Sequence, residues 1–280
     1  MNELTGQRHS VGFIGAGNIS RSLISGLIDS GWHPDQIRVS DPDPDQLSRV
    51  TAKHPVLTGH DNAKTADFAD VLILAVKPQI MARVSRPMAV VLQRHKPLVM
   101  TVAAGIGVDP LDKWLGGDMA IVRVMPNTPA LLGYGASGAF ANASVTHTQK
   151  ALADKILNAV GIVRWVDREQ DIDAVTAISG SGPAYFFYLM EAMENTATQL
   201  GLDAQLARDL IAQTAIGAAY MMRDSGKPPG TLRDNVTSPG GTTLAAMQVC
   251  DRADTHSVLQ QAVLAAHERA LEMAQDFSND

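Results

Sequence analysis

Ten residues near the amino end constrain the fold more than any others. Val11-Gly12-Phe13-Ile14-Gly15-Ala16-Gly17-Asn18-Ile19-Ser20 reads as a short strand, a glycine turn and the start of a helix in immediate succession. Gly15 permits the tight turn, Gly17 lets backbone come close to a pyrophosphate, and the helix start offers N–H groups and a partial positive charge to an anion. A G-x-G pair alone is a weak signal; a strand before it and a helix after it are the context the motif requires. Gly12, Phe13, Ile14, Gly15, Ala16, Gly17, Asn18 and Ile19 are therefore the first candidate dinucleotide residues. Ser20 stands where the full fingerprint has its third glycine. It is expected to loosen helix–strand packing slightly and to leave the anion site intact.

The rest of the first half repeats the alternation. Ile19, Leu23, Ile24, Leu27 and Ile28 recur at helical spacing over Asn18–Ser30, and Gly31 ends that helix. Strands are expected at Gln36–Ser40, Val71–Val76, Pro97–Val102, Ile121–Met125 and Val163–Val166, with a helix over Asp45–Lys53. The apolar runs among them suit strands buried on both faces of a parallel, doubly wound sheet. After Asp167 the pattern becomes wholly helical, with helices expected over Asp171–Ile178, Pro183–Leu200, Asp203–Asp224, Gly241–Val249 and Thr255–Gln275. The expected organisation is a dinucleotide-binding domain over residues 1–168 and an all-α domain over 169–280. The segment Tyr185–Met193 is apolar on every side, which in a small domain calls for cover from a second copy of the chain. A homodimer is thus expected.

Composition excludes several classes. The net charge is −6 and there is no basic run, so a nucleic-acid partner is not expected. No apolar run is long enough to cross a bilayer. Met1–Ser10 contains Glu3, Arg8 and His9 and no apolar stretch, so no signal peptide is expected. Cys250 is the single cysteine, which can form neither an internal disulfide nor a cysteine metal cage. The eight histidines are scattered without an HExxH or similar cluster, so no metal site is expected. These features point to the cytoplasm. Ser179-Gly180-Ser181-Gly182-Pro183 lacks the order and the preceding strand of a nucleophile elbow, and a serine hydrolase is set aside.

Other candidate residues sit at strand ends and in one late loop. Asp41, at the end of the second strand, either meets the ribose 2′-hydroxyl or simply opens the turn at Pro42. Ala75-Val76-Lys77-Pro78 and Ala103-Ala104-Gly105 fall at carboxyl ends of strands, where open α/β sheets bind ligands; Lys77 is either a cofactor contact or a surface lysine. In Asp234–Thr243, two glycines, a proline and four hydroxyls come just before a helix. That loop is either a carboxylate cradle of N–H and hydroxyl groups or an ordinary cap with Thr242 or Thr243 as N-cap.

Six blocks together resemble the pyrroline-5-carboxylate reductase family: Gly12–Asn18, Ala75–Gln79, Met125–Ala130, Asp173–Thr176, Ser179–Tyr185 and Thr237–Thr243. They occur in the family's order and span nearly the whole chain. The resemblance implies a Rossmann domain, a helical dimerisation domain in a homodimer or higher oligomer, and reduction of 1-pyrroline-5-carboxylate to L-proline by NADPH or NADH. Position by position it implies that Gly12–Gly17 form the pyrophosphate loop and that Asn62 reaches the adenosine ribose or its phosphate. Ala75–Pro78 and Ala103–Gly105 would flank the nicotinamide, with Glu169 and Asn235 at the cofactor–substrate site. Ser238, Gly241 and Thr242 would cradle the substrate carboxylate, and the Thr243 hydroxyl would bond the ring nitrogen. Asp254-Thr255-His256 departs from the Gly-Phe-Arg-like triplet common in the family, which bears on local packing. Two rivals are a hydroxy-acid dehydrogenase and a silent dinucleotide-binding protein. The first would need a helical-domain lysine, and there is none between Lys155 and Lys227; the second would not need Ser238–Thr243.

Overall fold

The structure is a computed structural model and describes residues 8–278; most of the amino-terminal segment read above for a leader lies outside the described residues. Eight strands form one sheet: β1 Val11–Ile14, β2 Ile37–Ser40, β3 Leu57–Gly59, β4 Val71–Leu74, β5 Leu98–Thr101, β6 Ile121–Met125, β7 Gly135–Ala141 and β8 Gly161–Trp165. Their spatial order is β3-β2-β1-β4-β5-β6-β7-β8. The helices of this part are α1 Asn18–Asp29, α2 Pro44–Thr51, α3 Asn62–Phe68, α4 Met81–Ser85, α5 Ala89–His95, α6 Val108–Trp114, α7 His147–Asn158 and α8 Asp171–Val175.

Alternation along the strands explains why they read as unbroken apolar runs. Val11, Phe13, Val71, Ile73, Leu98, Met100, Val122 and Val124 point to one face and pack with α1, α2 and α7 through Leu23, Leu27, Leu47, Val50 and Ile156. Ile14, Leu72, Leu74, Val99 and Ile121 point to the other and pack with Met88, Leu92, Leu111 and Trp114. Both faces are covered, so both parities must be apolar. Gly12 is where α3 crosses β1: a Cβ there would lie 2.9 Å from both the Ala69 Cβ and the Thr65 carbonyl oxygen. The glycine therefore has a packing reason of its own.

Three features differ from the expected elements. β7 is antiparallel to β6, while the other pairings are parallel. The connection is only the 3₁₀ turn Thr128–Leu132 and Gly133 in the left-handed region, too short for the crossover a parallel pair needs. β7 itself is Gly-Ala-Ser-Gly-Ala-Phe-Ala, with little strand propensity, and its small residues admit α8: a Cβ on Gly138 would meet Val175 Cγ1 at 2.5 Å. Finally, the expected helix through Ile178 widens after Val175 into a π turn over Thr176–Gly180, closed by the Ser181 N–H donating to the Thr176 carbonyl at 2.8 Å. Asn127 fastens that turn: its Nδ2 donates to the Ser179 carbonyl at 3.0 Å, and its Oδ1 accepts from the Ala136 N–H at 2.9 Å.

Contacts divide the described chain into two compact units, 8–181 with 266–278, and 182–265. The division read from the sequence at 168/169 follows the loss of strands instead; α8, the π turn and the end of the last helix belong with the sheet. The second unit contains α9 Gly182–Gln199, α10 Ala204–Ser225, α11 Pro229–Asn235, α12 Thr242–Arg252 and the first part of α13 Thr255–Ser278. α9 and α10 are joined through Gly201 in the left-handed region, and Asp203 caps α10 by accepting from the Gln205 and Leu206 N–H groups. Among the described residues no helix is long and apolar enough to cross a membrane.

One glycine tests the packing of the sheet layer. Gly26 lies inside α1, where alanine ordinarily gains about 1 kcal/mol. Here its Cβ would lie 2.4 Å from the Ala159 carbonyl oxygen and 2.6 Å from Val160 Cγ1. Gly26→Ala is therefore expected to destabilise the fold by about 1–3 kcal/mol. Urea unfolding reads this directly, and a stabilised variant would refute the close approach.

Candidate active site

The strand order places a switch point between β1 and β4: the chain runs outward from β1 to β2 and β3, then returns to β4 on β1's other side. The loops at the carboxyl ends there diverge and leave a crevice. Gly15 follows β1 with φ +99°, its N–H donating to the Ser40 carbonyl at 2.8 Å. A Cβ on Gly15 would lie 2.7 Å from the Ala75 carbonyl oxygen, so the turn after β1 and the Ala75–Pro78 loop after β4 are in contact. Gly17 is the N-cap of α1 and brings no capping side chain; the space around its missing Cβ is open. The first turn of α1 has no acidic residue. This is a cradle suited to a pyrophosphate.

Ser20 corrects the reading of the third fingerprint position. It is fully buried, and its hydroxyl donates to the Gly15 carbonyl at 2.6 Å. The substitution fastens the turn to α1 where a glycine would leave it unbonded. Arg21, which the sequence did not single out, braces the same turn. Its guanidinium donates to the Ala16 carbonyl at 3.1 Å and to Gln46 Oε1 at 2.7 Å, and it also bonds the Asn18 side chain.

Asp41 opens the turn at Pro42, the second of the two roles considered for it. One carboxylate oxygen accepts from the Ala16 N–H at 2.7 Å and the other from the Asp43 N–H at 2.9 Å, so the acid ties the turn after β2 to the glycine loop. Its carbonyl meets His60 Nδ1 at 2.8 Å. Asn62, the first residue of α3, accepts from the Ser40 hydroxyl at 2.7 Å and borders an open cleft of about 590 Å³ with His60, Arg83 and Met88. Gly15–Gly17, Asp41, Asn62 and Ala75 thus all follow the carboxyl ends of strands β1 to β4. Phe13 and Ile14 contribute backbone only, since their side chains are in the core. Lys77 is exposed and begins the 3₁₀ turn Pro78–Ile80. Ala103–Gly105 follow β5; Gly105 is left-handed at φ +77°, and a Cβ there would lie 3.0 Å from the Met273 Cβ of α13.

Glu169 lies in this first unit. Its Oε1 accepts from the Val108 N–H at 2.7 Å and stands 3.3 Å from Arg123 Nη1, while Arg123 Nη2 meets Asp173 Oδ1 at 2.6 Å. Arg123 and Asp173 are buried, and neither was foreseen as part of any site. The signal available was one arginine inside the apolar run Ile121–Met125, which needs buried acidic partners. Away from the crevice, Ser25 Oγ and His54 Nε2 are 2.9 Å apart; partial burial, then Lys53, hold His54 below the usual histidine range against an opposing pull from Asp29.

In the second unit, the loop 236–241 ends at Gly241, which is the N-cap of α12 and carries no side-chain cap. Neither Thr242 nor Thr243 is the cap; they are the first two helical residues, so their hydroxyls are left for other partners. The Gly241 N–H donates to the Ser238 carbonyl at 3.1 Å, and a Cβ on Gly241 would lie 2.7 Å from the Ser238 hydroxyl. Gly240 is left-handed at φ +72°. Asn235 ends α11 and is exposed.

Comparison with known proteins finds relatives that span both units. A family model described as pyrroline-5-carboxylate reductase dimerisation matches residues 169–273, and one described as NADP oxidoreductase, coenzyme F420-dependent, matches residues 10–105. A pyrroline-5-carboxylate reductase of Pseudomonas aeruginosa is 46% identical over 95% of this chain and 97% of that protein. The structure of a pyrroline-5-carboxylate reductase from Coxiella burnetii superposes with a TM-score of 0.90 at 41% identity, covering 96% of this chain and 99% of that one. That of a Plasmodium falciparum pyrroline carboxylate reductase with NADP bound gives 0.86 at 29% identity, covering 96% and 100%.

The Ser20 bond generates a direct test. Ser20→Ala removes a buried hydrogen bond and leaves the Gly15 carbonyl without that donor, so stability should fall by about 1–2 kcal/mol in chemical denaturation. An unchanged midpoint would show that the hydroxyl does not hold the turn.

Proposed function

This chain belongs to the pyrroline-5-carboxylate reductase family, and from that premise we propose how its residues divide the work of reducing 1-pyrroline-5-carboxylate to L-proline with NAD(P)H. The observation that carries the reading is that two longer helices start at a glycine N-cap with no side chain bonded there, α1 at the switch point and α12 behind Ser238-Pro239-Gly240-Gly241. Each is a ready anion cradle, the first for a pyrophosphate and the second for a carboxylate.

In the first unit, the N–H groups at Gly17, Asn18 and Ile19 hold the pyrophosphate, Asp41 accepts from a ribose hydroxyl, and Asn62 offers its amide to the adenosine side. Ala75–Pro78 and Ala103–Gly105 offer a wall of small residues to the nicotinamide half. The reduced nicotinamide, when bound, supplies a hydride for the imine carbon. In the second unit, Ser238 and the Gly241, Thr242 and Thr243 backbone orient the substrate through its carboxylate, with Asn235 beside them. The Thr243 hydroxyl bonds the ring nitrogen. A threonine hydroxyl is too weak an acid to protonate the imine alone, so its task is to hold an already protonated nitrogen in place.

The family self-associates, and the second unit has the surface for it. Phe186, Phe187, Tyr188 and Leu189 are 63%, 63%, 76% and 58% exposed in the single chain. Four consecutive large side chains open to water lie all round α9, and so much exposed apolar surface asks for cover. We assign that cover to a second copy of the chain, as a homodimer or a multiple of it. We also place the reaction in the cytoplasm, in keeping with a single free cysteine.

The deciding assay is oxidation of NADH and of NADPH with pyrroline-5-carboxylate, followed by near-ultraviolet absorbance. Turnover is expected, and inactivity with both cofactors would refute the reading. Thr243→Ala is expected to lower kcat on the order of a hundredfold while NADH binding stays within about twofold; an unaffected rate would remove Thr243 from the site. Light scattering should give at least twice the chain mass, and Tyr188→Glu should halve it. A wild-type monomer would overturn the assigned cover.

A further inference from the structure

We propose that Glu169 is a positioning residue: held by Arg123 and Asp173, it fixes the loop between β5 and α6 against which the nicotinamide half of the cofactor lies. This rests on the proposed reading of the first unit as the cofactor holder.

The direction of the cofactor follows from the sheet. With the pyrophosphate at α1 and the adenosine ribose at Asp41 beyond β2, the other half of a dinucleotide extends across the switch point toward β4 and β5. The wall at that end is Val102–Val108. Its shape has no internal support of the usual kind, because the N-cap of α6 is Gly107, which has no side chain to close the helix start.

Glu169 supplies that closure from 61 residues away, accepting the Val108 N–H at 2.7 Å. Gly107 leaves the carboxylate room: a Cβ there would lie 3.3 Å from Glu169 Oε1, a tight contact. The carboxylate is aimed in turn by Arg123. That residue pairs in register with Thr101, the last residue of β5, so its guanidinium is anchored one strand from where the loop begins. Arg123 is itself held by Asp173 at 2.6 Å, and the side chains of both are almost wholly buried, at 4% and 6% exposure. Glu169, at 24%, is the member that opens to water, on a cavity of about 460 Å³ shared with Gly107, Lys113 and Gln170.

From the other side, Gly105 packs on the backbone and Cβ of Met273, and Phe277 packs into the core behind. The loop is therefore clamped between an ion-paired acid and the end of α13. A purely structural ion cluster would need neither a glycine N-cap open to it nor a carboxylate with one edge on a loop amide. Removing Glu169 frees Val108 and lets the wall shift while leaving the pyrophosphate cradle untouched, since Gly15, Ser20 and Asp41 make no contact with the cluster among the bonds described above.

The test compares NADH with ADP-ribose, which lacks only the nicotinamide ring, on the full chain by calorimetry. Glu169→Ala should bind NADH about tenfold more weakly. Its ADP-ribose affinity should stay that of the wild type, while kcat falls along with the NADH affinity. Glu169→Gln, which keeps an acceptor for the Val108 N–H, should recover most of the NADH affinity. Equal losses for both ligands, or no loss for either, would overturn the proposal, as would a glutamine variant no better than alanine. If the wild type binds neither ligand, it is the reading of the first unit as cofactor holder that fails.

Discussion

The hydrogen bond from Ser20 to the Gly15 carbonyl joins the two things the fold must reconcile. A strand must end, reverse through a left-handed residue and start a helix within three residues, and the helix must begin without a side-chain cap. A carbonyl leaving a turn at φ +99° is unsupported by the sheet ladder, and an uncapped helix start is electrostatically open. Ser20 holds the first, Asp41 and Arg21 brace Ala16 from its N–H and its carbonyl, and the opening is left to an anion. A conventional Ser or Asp at the N-cap would stabilise α1 by bonding the N–H groups that Gly17 leaves unbonded by any side chain.

What was legible in the sequence was whatever burial on two faces imposes. β1, β4, β5 and β6 are mainly apolar runs, Arg123 in β6 being the charged exception, because each parity meets a different helix layer, and all four were read close to their observed ends. β3 and β7 left no such trace. Leu57-Thr58-Gly59 is a three-residue edge strand with exposed side chains, and β7 consists mostly of Gly and Ala because α8 and the Val160–Gly161 turn crowd it. Its residues were selected for what they do not fill, and propensity reports only what they are. The antiparallel turn at β6–β7 escaped for a related reason: connection length, not strand composition, sets direction there.

The site divides along the same line. Glycine loops were visible because they have a local grammar of strand, turn and helix start. Glu169, Arg123 and Asp173 have none, being 46 and 50 residues apart in the pairs that matter. Arg123 within Ile121–Met125 was the sole clue, since a buried guanidinium without partners is too costly to keep. Reading it as a demand for two carboxylates would have pointed to the acid-rich stretch Asp167–Asp173. Asn127 is similar. The Met125–Ala130 block looks like a loop motif, and its physical content is an amide clamping β7 to a π turn that no periodicity reveals.

The π turn explains how a helix can be both continuous and specific in its register. One extra residue between Thr176 and Ser181 shifts the following side chains by about 100° relative to an unbroken α-helix. Pro183 then falls where the ladder is already interrupted, so its missing N–H removes little. Beyond it lie Phe186–Leu189, whose side chains are exposed in the single chain. Within the Ser-Gly-Ser-Gly-Pro block, Gly180 leaves room for Met125, where a Cβ would meet Cε at 2.6 Å, so its small size is a packing requirement of the bulge.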